Sequence, residues 1–99
     1  MKITETNCII DEKTIDSKTR YYVIVLTEST HKFHTGFNSL EGALNTRDDL
    51  IGIDNLEVYL EPAQEEPRYY RVEIKYDTTI LRSEKLNLAT AVYLRDLVK

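Results

Sequence analysis

The sequence predicts an α+β fold: a tandem βββα repeat forming a mostly antiparallel sheet with two helices on one face. Three observations lead there. The chain matches itself without a gap when residue i is set against residue i+48, from Ile3/Ile51 to Leu50/Val98. Several short segments alternate apolar and polar residues with the period of a half-buried strand. Two later stretches, near residues 40 and 88, carry apolar residues at helical spacing behind a capping residue. The 99 residues form a single domain, 1–99, made of two units, 1–50 and 51–99. With 41% hydrophobic and 30% charged residues, the chain can build one modest core without a metal or disulfide.

The self-match places Arg20-Tyr21-Tyr22 on Arg68-Tyr69-Tyr70 and Arg47-Asp48 on Arg95-Asp96. It also pairs Asn7 with Asn55, Thr30 with Thr78, Leu40 with Leu88 and Ala43 with Ala91. Apolar character is kept at Cys8/Leu56, Ile10/Val58, Ile24/Val72, Leu26/Ile74, Phe33/Leu81 and Leu44/Val92.

In chain order, first strands are expected over residues 3–10 and 55–61, with Cys8 and Ile10 on the buried side. Polar connections follow at residues 11–19 and 62–67, the second bounded by prolines that suit a loop. Second strands start at Tyr21 and Tyr69; in the later one Tyr70, Val72, Ile74 and Tyr76 alternate with Tyr69, Arg71, Glu73 and Lys75. Turns near residues 28–30 and 77–79 lead to third strands at 32–37 and 80–84. A helix closes each unit, capped by Ser39 and by Asn87, whose side chains can accept from free amides. Leu40, Ala43 and Leu44, with Leu88, Ala91 and Val92, supply the apolar stripes. Gly52 can end the first helix in the left-handed region. The repeat offset then puts Tyr22, Ile24, Leu26, Tyr70, Val72 and Ile74 under the helices.

On that reading the face turned away from the helices differs between the units. One copy shows Tyr21, Val23 and Val25 where the other shows Tyr69, Arg71 and Glu73, and Ile9 stands against Glu57. A cluster of Ile9, Tyr21, Val23 and Val25 in water is an interaction patch, to be covered by the 11–19 loop or a terminus, a second copy in a homodimer, or a different protein. Between Arg47 and Arg68 there is no basic residue; Asp54, Glu57, Glu61, Glu65 and Glu66, with Asp48 and Asp49, form an acidic segment suited to steering a basic partner. Tyr59, Tyr69, Arg71 and Lys75 give an alternative: a sheet surface for single-stranded nucleic acid. A formal charge of −4 disfavours general polyanion binding.

Catalytic and metal chemistry have little footing. His31 and His34, three apart on a strand, point to opposite faces. Cys8 alternates with Ile10 and is expected to be buried and inert. The three glycines, Gly36, Gly42 and Gly52, form no phosphate loop, so neither cofactor nor metal is expected. A lone cysteine, the absence of a membrane-length apolar run and a polar N-terminus make the cytoplasm the expected location. The tract Thr35-Gly36-Phe37-Asn38-Ser39-Leu40-Glu41-Gly42-Ala43-Leu44 resembles the strand-to-helix entry of HicB-like antitoxins over about a tenth of the chain. The resemblance rests on ordinary cap chemistry. The expected function is that of a small, acidic, non-enzymatic protein-binding module, an inhibitor or adaptor of the phage or mobile-element type.

Overall fold

The computed structural model describes residues 1–54 and 56–99. Asn55, one half of the Asn7/Asn55 match, lies outside the described residues. The elements in chain order are β1 (Cys8–Ile15), β2 (Lys18–Leu26), β3 (Lys32–Phe37), α1 (Leu40–Leu50), β4 (Glu57–Pro62), β5 (Tyr70–Tyr76), β6 (Thr79–Arg82) and α2 (Leu88–Val98). All six strands form one antiparallel sheet in the order β1-β2-β3-β6-β5-β4. The β3–β6 seam that joins the two halves runs through the pair His34 and Arg82.

One core links the halves. Cys8, Val23, Val25, Phe33, Val72, Ile74 and Leu81 from the strands meet Ala43, Leu50, Ala91, Leu94 and Val98 from the helices. The registers place those strand residues on a single side of the sheet, so both helices cover that side. Ile3, expected in a strand, instead plugs the core from the N-terminal segment, and its carbonyl accepts from Gly52 N–H at 3.0 Å. Gly52 takes φ +89°, the left-handed conformation that glycine adopts without strain. The helices begin as expected: the Ser39 hydroxyl accepts from Gly42 N–H, and the Asn87 side-chain oxygen Oδ1 accepts from Thr90 N–H.

Two further expectations are corrected. The connection expected at residues 11–19 is largely strand. β1 and β2 form a long hairpin turning on Asp16 and Ser17, both at positive φ (52° and 65°), as a primed two-residue turn requires. The second correction concerns β2, where Val23 and Val25, not Ile24 and Leu26, lie under the helices. Val25 opposes Phe33, eight positions on, whereas Ile74 opposes Leu81, seven positions on. The 48-residue offset therefore equates β3 with β6 but is out by one for β2 and β5. A one-residue slip turns every side chain of a strand to the other face.

The outer strands have blunted edges. Leu26 N–H donates to Asn7 O, so alternation turns the backbone groups of Cys8 outward, where its N–H meets Thr4 O and its carbonyl accepts from Arg47 Nε at 2.8 Å. At the other edge Ala63 N–H donates to Tyr69 O, which turns Pro62, a residue without an N–H, to the outside.

Where β5 and β6 part, Ser83 extends the ladder with its side chain. Its N–H donates to Val72 O, its hydroxyl accepts from Val72 N–H at 2.9 Å, and its carbonyl accepts from Arg71 Nη1 at 2.7 Å. Ser83 is fully buried. Ser83→Ala strands the Val72 amide without a partner and is expected to cost about 1–3 kcal/mol of stability in urea denaturation. An unchanged midpoint would show that another acceptor reaches this amide.

Candidate sheet-face binding site

The helices leave the other side of the sheet uncovered. By register it carries Ile9, Asp11 and Lys13 of β1, Arg20, Tyr22, Ile24 and Leu26 of β2, and Lys32, His34 and Gly36 of β3. Beyond the seam it continues with Arg82 of β6, Arg71, Glu73 and Lys75 of β5, and Glu57, Tyr59 and Glu61 of β4. With Lys18, which the β2 register sets on the same side as Arg20, seven lysines and arginines thus share this side with four carboxylates, a local excess of +3 in a chain of formal charge −4.

The two halves of this face differ. On the β4–β5–β6 half every cation already holds a carboxylate. Arg82 Nε donates to Glu73 Oε2 at 2.9 Å, Arg71 Nη2 to Glu65 Oε1 at 2.6 Å, and Lys75 lies 3.9 Å from both Glu61 and Glu73. Lys75 also sits 4.4 Å from the centre of the Tyr59 ring. The hydrogen bond from Arg71, helped by a backbone amide, holds the Glu65 carboxyl below its ordinary 4.5.

The β1–β2–β3 half is organised around Tyr22. Lys13 Nζ and the Arg20 guanidinium lie 5.6 and 6.0 Å from its ring centre, and the His34 ring meets it edge-on at 6.4 Å. Gly36, opposite Tyr22, makes this close approach feasible. A Cβ there would stand 2.8 Å from Arg20 Nη2 and 3.0 Å from Tyr22 Cε1. Asp11, Lys13, Tyr22, Ile24, Lys32 and His34 line a shallow depression of about 340 Å³. Ile9 is 40% exposed beside it, and Ile24 and Leu26 are half-buried. Among the described residues, Lys13, Arg20 and Lys32 have no carboxylate within 4.0 Å.

The residues singled out from sequence are scattered by the fold. Val23 and Val25 are fully buried and Tyr21 packs against the core, so these three do not form an open patch; of that set only Ile9 is on the uncovered face. The one-residue difference between hairpins is the cause. The acidic segment keeps less free charge than its sequence suggests, because Glu61 and Glu65 are engaged as above and Glu66 accepts from Lys85 Nζ at 2.7 Å. Asp54 and Glu57 remain exposed and have no such partner among the described residues. Tyr59, Arg71 and Lys75 do share the uncovered face, whereas Tyr69 precedes β5 and lies under the Arg68 guanidinium at 5.1 Å.

Sequence reasoning missed Lys13, Arg20, Tyr22, Ile24, Leu26 and Lys32 as a group. The signal present in the sequence is the alternation of Cys8 and Ile10 with Ile9, Asp11 and Lys13, and only the register, which pairs Asp11 with Tyr22, ties it to β2.

Cys8 is fully buried, and burial pushes its thiol above the ordinary 9.0 against the opposing pull of Arg47. A thiol so placed resists forming the thiolate that a nucleophile needs. His31 lies in the loop before β3 and contacts the Glu84 carboxylate, away from His34. Among the described residues no group of three His, Cys, Asp or Glu side chains is placed to hold a metal ion, and no helix is long and apolar enough to cross a membrane. No family model, curated protein or solved structure matches this chain.

Proposed function

We propose that this protein is a non-enzymatic protein-binding module whose working surface is the helix-free face of the sheet, around Tyr22, Ile24 and Leu26. The observation behind this reading is the uncovered apolar stripe on β1 and β2, formed where one side of a six-stranded sheet has no second layer. An antiparallel sheet solvated on one side ordinarily places polar residues there. Aliphatic residues in that position favour a partner. Three aliphatic side chains around a single tyrosine suit a protein better than a strand of bases, which stacks on aromatic rings. The acidic segment has a smaller part in this reading, because three of its carboxylates already hold cations of the same chain.

We also propose that the two halves descend from one βββα unit. Supporting this, His34 pairs with Arg82, residues that the 48-residue offset equates, as a twofold relation through the seam requires. The matching caps Ser39 and Asn87 support it as well. An inhibitor or adaptor role, of the kind met in phages and mobile elements, fits a small duplicated binding module.

Ile24→Thr with Leu26→Thr removes apolar surface while keeping residues that favour strands. The wild-type chain is expected to capture a protein from nuclease-treated native lysate, and the double variant, folded by circular dichroism, is expected to lose it. Equal recovery by both chains, or no protein recovered by either, would remove this reading.

A further inference from the structure

We propose that the part of the partner seated on this face is an acidic segment that also carries apolar residues, the reverse of the basic partner that the chain's overall charge suggests. This rests on the reading of the uncovered face as a protein-binding surface and adds the chemistry of the occupant.

Charge complementarity is the argument. Net charge describes the whole molecule, but a partner meets only the groups that are free where it docks. The carboxylates of the β4–β5–β6 half are largely spent on neighbouring cations. On the other half Lys13, Arg20 and Lys32 come from three adjacent strands and have no carboxylate within 4.0 Å among the described residues, and Asp11 is the single carboxylate lining the same depression. They flank the apolar run of Tyr22, Ile24 and Leu26. The Tyr22 ring holds Lys13 and Arg20 close by, which reduces the side-chain freedom lost when an anion pairs with them. A cationic border around an apolar strip matches a segment in which Asp or Glu residues flank Leu, Ile or Phe.

The test pans a random peptide library against the wild-type chain, with labelled oligothymidylate as a second probe. Enriched peptides are expected to combine acidic and apolar residues. Their binding should weaken roughly tenfold for Lys13→Glu/Arg20→Glu/Lys32→Glu, the sum of three exposed ion pairs. It should also fall as salt rises. Enriched peptides that depend on Ile24 and Leu26 but show no acidic bias would overturn this inference while leaving the protein-binding reading intact. Enriched peptides indifferent to Ile24→Thr/Leu26→Thr would count against both. Oligothymidylate that binds tightly, displaces the peptides and is lost in the charge-reversed variant would overturn both in favour of nucleic acid. Failure to enrich any peptide would overturn the acidic-segment inference alone, since the capture experiment reads folded partners.

Discussion

Val23→Glu together with Val25→Glu is expected to abolish folding, although on the sequence alone these valines read as an exposed patch that tolerates charge. Both are fully buried beneath the helices, opposite Ile10 and Cys8 on one side and Thr35 and Phe33 on the other. A carboxylate forced into that apolar layer is removed from water, which costs several kcal/mol after all relaxation. Two such penalties approach or exceed the entire stability of a domain this size, about 5–15 kcal/mol. Loss of far-ultraviolet circular dichroism and of amide dispersion in NMR spectra reads this outcome. The contrast is internal to one strand, since Ile24→Thr/Leu26→Thr should remain folded. A folded glutamate double variant would mean that β2 faces the other way and that the uncovered surface is wrongly assigned.

Phe33→Ala carries the next largest effect, a loss of about 3–5 kcal/mol, with the denaturation midpoint falling and the slope kept. Phe33 is the largest fully buried side chain, in the strand that leads to the seam between the halves. Its neighbours Val25 and Thr35 sit in a hydrogen-bonded sheet, so the backbone cannot close over the space left behind. A loss below about 1 kcal/mol, the scale of trimming one methyl group, would show that α1 settles into the gap.

The parts of this fold that sequence reasoning reached are those where one face is buried and the other wet. The helices are legible because Leu40, Ala43 and Leu44, and Leu88, Ala91 and Val92, follow Ser39 and Asn87 at helical spacing. The buried positions are nonetheless Ala43 and Leu50, and Ala91, Leu94 and Val98, while Leu40, Leu44 and Leu88 stay exposed. β3 is legible for a related reason: Phe33 is buried and its neighbours Lys32 and His34 are exposed. The outer half of the β1–β2 hairpin was hidden because residues 12–18 are exposed on both faces, so no apolar alternation marks them as strand. Its turn is made by Asp16 and Ser17 without the glycine that usually announces such a hairpin. Residues 21–26 pose the opposite difficulty. Every one of them is apolar or aromatic, so alternation cannot say which set faces inward, and the choice fell to the repeat offset. The single extra residue between β2 and β3 then reversed it. The binding face was illegible for a third reason: Lys13, Arg20 and Lys32 are brought together by registers that no local pattern encodes.

Arg47 and Pro62, one at each rim of the sheet, bear on how the molecule behaves when crowded. A neighbouring molecule trying to zip its own strand onto β1 would have to evict the guanidinium from the Cys8 carbonyl, and one approaching β4 would find a ring where a donor is needed. Fibrous polymerisation is thereby discouraged at both flanks, which leaves the broad flat side, rather than the borders, as the place where association can be selective.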